Sequence, residues 1–227
     1  LFVVWPLVLA WQTRLHVRHG FGLTSASRWA YLGAALWGVS LWPFAYELEI
    51  LTLSQERLKT LVELCRGFDA ELRQVPLWWK LITLAMVPAA CEEFFFRGYL
   101  FRALRSTWSP WASILTTAGL FGLFHVLVRD ALLLERFLPT ALMGVALGWV
   151  AYRSGSVLPG MGLHVCHNAF LLSLGELSLS PMRSDGVLEQ QHLAWNWLAV
   201  AALALIVGAA ILRLHRRTPE SPEAAWH

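Results

Sequence analysis

Residues 77–104 read LWWKLITLAMVPAACEEFFFRGYLFRAL. As a helix the run is long enough to cross the hydrocarbon core of a bilayer, which takes about 20 mostly apolar residues. Inside it lie two adjacent carboxylates, Glu92 and Glu93, and one guanidinium, Arg97. Each such charge costs about 2.5–3.5 kcal/mol near the centre of a membrane helix, so the set needs partners and a reason to be there. Helix geometry separates the two acids. Glu93 and Arg97 are i,i+4 neighbours and can pair directly. Glu92 points about 100° away and lacks that partner. One carboxylate is then structural and held ionised, while the other faces a cavity as a base. Taken alone, the stretch fits equally well a plain ion pair that holds helices together.

The rest of the chain agrees with a membrane setting. It has 227 residues, 57% of them hydrophobic, and a mean hydropathy of +0.52. That is too apolar for an ordinary soluble domain of this length. Thirteen Trp and twelve Phe suit the membrane–water interface. The net charge of +3 comes with no long basic tract, which argues against a nucleic-acid partner and for a modest excess of basic residues in cytoplasmic loops. The three cysteines, Cys65, Cys91 and Cys166, are isolated and odd in number. They suggest neither a disulfide framework nor a cysteine zinc site.

Apolar segments at 1–13, 29–46, 77–97, 109–127, 137–152, 157–175 and 194–212 predict an all-α, polytopic transmembrane helix bundle of about seven spans. The first segment is short for a span. It shows no basic n-region and no cleavage site, so it reads as the end of a longer helix and not as a signal peptide. Residues 47–76 carry Leu51, Leu58, Leu61, Leu64, Phe68 and Leu72 at helical spacing, with Glu56, Arg57, Lys59, Glu63 and Arg66 on the other face. This predicts an amphipathic helix that lies on the membrane or caps the bundle, or else a helical loop. Residues 176–193 are polar and read as a loop, and the tail after Arg213 as disordered. The chain thus divides into N-terminal helices with the amphipathic segment (1–76), a core carrying the polar motifs (77–175), a loop and final helix (176–213) and a polar tail (214–227). If the spans alternate, Arg14, Arg18, Arg28, Arg102, Arg105, Arg153, Arg213, Arg216 and Arg217 share one side. The other side mixes its basic residues with acids. The positive-inside rule then puts the first side, and the C-terminus, in the cytoplasm.

Two further polar clusters fall in predicted spans. His125 ends the run Phe121-Gly122-Leu123-Phe124-His125. His164 and Asn168 are i,i+4 on one helix face, with His167 nearby but offset. Either cluster alone fits interhelical hydrogen bonding. Together with Glu92 they have a chemical reading. A carboxylate and a histidine polarise water, and histidine with asparagine stabilises the oxyanion of amide hydrolysis. No serine or cysteine is placed as a nucleophile beside them, which favours direct attack by water.

The order Glu-Glu-x-x-x-Arg (Glu92, Glu93, Arg97), Phe-x-x-x-His (Phe121, His125), His-x-x-x-Asn (His164, Asn168) resembles the CPBP family of intramembrane proteases. These are the CAAX-processing and bacteriocin-processing endopeptidases, also called ABI or Rce1-like. The resemblance covers residues 77–175. It implies a helical membrane protein with a catalytic site within the bilayer and no cofactor. It also implies Glu92 as general base aided by His125, His164 and Asn168 as the oxyanion pair, and Glu93 and Arg97 in support. The family pattern assigns no place to His167. The implied substrate is a membrane-associated peptide or protein with a CAAX-like, anchor or bacteriocin-type sequence, and fusion to or association with an export permease is expected of some relatives. A prokaryotic inner-membrane location follows from the same resemblance. Two other functions keep the same residues: a metal-dependent membrane hydrolase, since Glu and two His are acceptable zinc ligands, and a non-catalytic immunity or transporter-accessory protein. The absence of His-Glu-x-x-His spacing and the nearby arginine weigh against a metal.

Overall fold

The computed structural model describes residues 2–54, 56–57, 59, 71–72, 74–127, 133–176 and 192–214. These are helical throughout their ordered elements, with no strand among them. The helices are α1 (Val4–Gln12), α2 (Val17–Gly20), α3 (Arg28–Ser40), α4 (Trp42–Thr52), α5 (77–105), α6 (Pro110–Val126), α7 (Phe137–Ser154, entered through a 3₁₀ turn at Leu134–Arg136), α8 (Leu158–Glu176) and α9 (Trp195–Leu214). Apart from α5, which continues to residue 105, the long helices match the expected spans to within a few residues. Residues 55, 58, 60–70 and 73 of the amphipathic segment, the loop at 177–191 and the tail from residue 215 lie outside the described residues.

Local chemistry sets the ends. Ser109 caps α6 by accepting from Ala112 N, and Pro110 occupies the first turn, where its missing N–H costs nothing. Gly155 ends α7 in the left-handed conformation at φ 68°. The expected span at 29–46 is two helices that meet at Leu41. Pro43 lacks the N–H that would continue the ladder and crowds the preceding turn. The helical periodicity expected from residue 47 onward is also interrupted, because Leu53 is extended (φ −94°, ψ 118°) and ends α4.

Among the described residues two helices, Leu134–Ser154 and Trp195–Leu214, are long and apolar enough to cross a membrane. Pro110–Val126 is a shorter apolar helix of the same character. α9 rises about 30 Å and turns Val200, Leu203 and Ile206 outward, each more than 60% exposed. Such a face suits lipid rather than water.

Long-range contacts give the helix directions. Gly33 of α3 lies against Gly208 of α9, Trp37 Nε1 donates to Leu205 O at 2.8 Å, and Trp42 packs edge-on against Trp197. α3 and α9 are therefore antiparallel. So are α6 and α7, since Ile114 meets Gly148 and Ala118 meets Gly144. α5 and α8 also run oppositely: Lys80 pairs with Glu176 at one end, Glu93 meets His164 in the middle, and Arg102 Nη2 donates to Gly155 O (2.8 Å), in the α7–α8 turn, at the other. One end of the bundle thus gathers Arg28, Arg102, Arg105, Arg153 and Arg213. The other holds Glu47, Lys80, Glu135, Glu176 and His192. Glu47 accepts from Leu193 N and contacts His192 Nδ1, both at 2.6 Å, which ties α4 to the segment leading into α9.

The core lies where α3, α5, α6, α7 and α8 meet, around Ala34, Phe96, Phe121, Leu147 and Leu163. Small residues permit the closest approach. A Cβ on Gly38 would stand 2.6 Å from Leu163 O and 2.9 Å from the Cys166 Cβ. Gly38→Ala is expected to push α3 from α8 and cost about 1–3 kcal/mol, read as a lower unfolding temperature in detergent. An unchanged midpoint would show that the two helices part without loss.

Candidate active site

α5 is not a uniform helix. Its α-helical stretch Val87–Glu93 sits between two π-helical turns, Leu81–Met86 and Phe94–Leu100. Pro88 lacks an N–H and follows the first wide turn. π turns widen the ladder by one residue and rotate the faces on either side, and they are frequent at functional sites. Glu92 and Glu93 close the α-helical stretch, and Arg97 lies in the second π turn.

The two acids occupy different surroundings, as their helical angles predict. Glu93 is fully buried. Its Oε1 accepts from Arg97 Nη1 at 2.8 Å and from His164 Nδ1 at 3.1 Å. Arg97 is 1% exposed, donates from Nη2 to Gly144 O on α7 at 2.9 Å, and lies over the Phe121 ring, 4.6 Å from its centroid. A buried guanidinium requires such partners, because leaving one charge unpaired would cost several kcal/mol. The ion pair therefore joins α5 to α7 and α8. Glu93 Oε2 and Arg97 Nε have no hydrogen-bond partner among the described residues. Gly160 of α8 lies beside Oε2, where an added Cβ would stand 3.6 Å away.

Glu92 stays partly open, with its side chain 14% exposed. Its Oε2 lies 3.8 Å from His125 Nε2 on α6 and 3.9 Å from His164 Nε2 on α8. Both distances exceed a direct hydrogen bond. The far side of each ring fixes its tautomer. His125 Nδ1 lies 2.8 Å from Phe121 O, and a carbonyl only accepts, so Nδ1 carries the proton. His164 Nδ1 faces the Glu93 carboxylate and is protonated for the same reason. In the neutral rings Nε2 is then the acceptor nitrogen of each, and both stand within 4 Å of Glu92 Oε2.

Phe121 packs against the whole group. Its ring touches Phe96, His125 (4.4 Å between centroids) and His164 (5.8 Å), as well as Arg97. Sequence reading placed Phe121 in a motif but gave it no task. Gly144 and Gly160 were missed. The small-residue spacing Gly144–Gly148 on α7 was the available signal for the first.

The structure thus brings together Glu92, Glu93, Arg97, His125 and His164. Asn168 is half-buried one turn beyond His164 on the same face of α8, and its side chain makes no hydrogen bond among the described residues. His167 points elsewhere: Nδ1 donates to Gly38 O at 3.0 Å and fastens α8 to α3. Among the described residues no group of three His, Cys, Asp or Glu side chains is arranged to hold a metal ion.

Neither the curated proteins nor the solved structures yield a match. Residues 74–170 match the family model described as type II CAAX prenyl endopeptidase Rce1-like, and all six candidate residues fall inside the matched stretch. Five of these side chains, from three helices, meet around one partly open carboxylate inside an apolar bundle, and they lie in a segment that is similar to the Rce1-like family of CAAX-type proteases.

Proposed function

We propose that the chain is an intramembrane endopeptidase that hydrolyses a peptide bond with water activated by Glu92. The observation that carries this reading is the approach of His125 Nε2 and His164 Nε2 to Glu92 Oε2, at 3.8 and 3.9 Å. Glu92 Oε2 and the neutral His125 Nε2 are both acceptors, too far apart for a direct bond, and need a shared proton donor. A water molecule satisfies them and is polarised in doing so.

In the proposed reaction Glu92, aided by His125, takes a proton as the water oxygen bonds to the scissile carbonyl carbon. The carbonyl π electrons move to oxygen, and the Asn168 amide N–H donates to that oxyanion. His164, held by Glu93 at 3.1 Å, joins it from Nε2 when that nitrogen also carries a proton. Collapse of the intermediate breaks the C–N bond, and the proton held by Glu92 passes to the leaving amine. Glu93 and Arg97 take no proton. They hold His164 in place, and their charges offset each other away from the reacting atoms.

The bundle crosses the membrane about seven times. The basic end and the C-terminus face the cytoplasm of a prokaryotic inner membrane. The substrate is a membrane-associated peptide or protein cut near a CAAX-like, anchor or bacteriocin-type sequence, and an export permease is a candidate partner. Comparison of peptide termini between cells carrying the wild type and Glu92→Gln tests catalysis and substrate together. Identical termini in the two would overturn the proposal.

A second reading has one observation in its favour, since Glu and two His nitrogens on one locus are zinc-type donors. Incubation with a chelator separates the two. The glutamate mechanism predicts an unchanged cleavage rate after exhaustive chelation, whereas loss of activity restored by zinc would establish the metal enzyme.

A further inference from the structure

The N-terminal helices carry a feature that the proposed hydrolysis does not use. α1 starts beside the candidate site: Phe2, just ahead of it, packs against Phe95, Phe96 and Phe124, and Phe124 neighbours His125. From there it runs toward the basic end. Its outer face shows Val4, Trp5, Val8 and Trp11, all exposed. At Arg14 the chain reverses through a left-handed backbone (φ 56°) and enters α2. Arg102 Nη1 reaches His19 O, and Val157 N donates to Gly22 O, so the hairpin is fastened to α5 and to the α7–α8 turn.

A groove of about 730 Å³ opens inside this hairpin. Leu7, Leu15 and Val17 give it an apolar lining, Trp11 stands at its side, and Arg14 and His16 bring polar groups to it. Arg18 is exposed on α2, just beyond. No ion pair with a carboxylate forms at Arg14 or Arg18 among the described residues. Among the described segments that reach this end, 1–46, 94–127, 136–175 and 195–214, the sequence has no Asp or Glu. A groove with an apolar lining and Arg14 on it, with exposed Arg18 next in sequence to its last lining residue and an apolar helix face alongside, complements one class of molecule: an anionic headgroup that carries acyl chains.

We propose that this groove binds an anionic phospholipid, with its phosphate against Arg14 and Arg18 and an acyl chain along Val4, Trp5, Val8 and Trp11. The lipid then braces α1, whose start packs beside the candidate active site. The site is separate from the catalytic residues and does not depend on the hydrolysis proposed above.

Native mass spectrometry of the whole chain, released from mixed micelles holding equal phosphatidylglycerol and phosphatidylcholine, tests this. Each arginine near an anionic lipid is worth about fivefold in binding, so the wild type should retain phosphatidylglycerol over phosphatidylcholine by roughly thirtyfold. Arg14→Gln and Arg18→Gln should each lose about fivefold, and the double variant most of the preference. Arg28→Gln, on the same end but outside the groove, should keep it. Unfolding temperatures in phosphatidylcholine micelles check that the variants fold, and the single variants serve if the double one does not. Glu92→Gln protein should retain the lipid as the wild type does, so a failed protease assay would leave this result standing. Equal retention of the two lipids would overturn the proposal. So would unchanged preference in the arginine variants, or a dimer that needs Arg14 and Arg18 but no lipid.

Discussion

Glu92→Gln is expected to lower peptide-bond cleavage by roughly a thousandfold or more, with little change in the unfolding temperature. The loss follows from chemistry. An amide cannot take the proton of an attacking water, and a positioned general base is worth about 10²–10⁴ in rate. The small effect on folding follows from geometry. Glu92 has no direct hydrogen bond to either histidine, at 3.8 and 3.9 Å, and its side chain is partly exposed. Glutamine has nearly the same shape and removes a charge that burial disfavours. Measured together, cleavage of a reporter peptide and thermal unfolding in detergent separate the two effects. Retained cleavage would remove Glu92 from the mechanism, and collapse of the fold would make it a structural residue.

Arg97→Met is expected to do the opposite, destabilising the bundle by about 3–5 kcal/mol. Methionine approximates the length of the side chain but leaves the Glu93 carboxylate with no cation at 0% exposure. It also strips Gly144 O of its donor and removes the guanidinium from the Phe121 face. Most of the cost comes from the charge left behind and not from the lost attraction. The double change Glu93→Gln with Arg97→Met should therefore destabilise less than the sum of the two single changes, a coupling expected of side chains in direct contact. Thermal unfolding of the four proteins closes the cycle. Strict additivity would mean that the two groups do not interact. Activity should fall with Arg97→Met as well, because Glu93 positions His164.

Much of the site was legible because its closest pairings are local in sequence. The Glu93–Arg97 pair and the diverging angle of Glu92 follow from helical pitch alone, and both appear in the folded chain. The i,i+4 placement of His164 and Asn168 is likewise a property of one helix. The helix positions were readable for a similar reason: apolar segments near 20 residues, broken by Ser109-Pro110 and Gly155, leave few alternatives. Other features were not readable. The division of 29–46 into two helices at Leu41 depends on how far Pro43 bends the chain, which packing against α7 and α9 decides. The two π turns in α5 have no periodicity that a sequence scan detects, since each adds one residue to a ladder that otherwise looks regular.

The sequence by itself determined that the chain is an all-α bundle for an apolar medium. It also determined that one acid of the Glu92–Glu93 pair would be held by Arg97 and the other left over. Hydropathy and helical pitch suffice for that, since both act over a few neighbouring residues. Only the tertiary structure decided that His164 bonds Glu93 and stands 3.9 Å from Glu92, that Arg97 is anchored on the Gly144 carbonyl, and that Phe121 packs among Arg97 and both histidines. These contacts join residues dozens of positions apart. Their partners are set by how α5, α6, α7 and α8 pack, and close packing allows one arrangement where sequence spacing allows many.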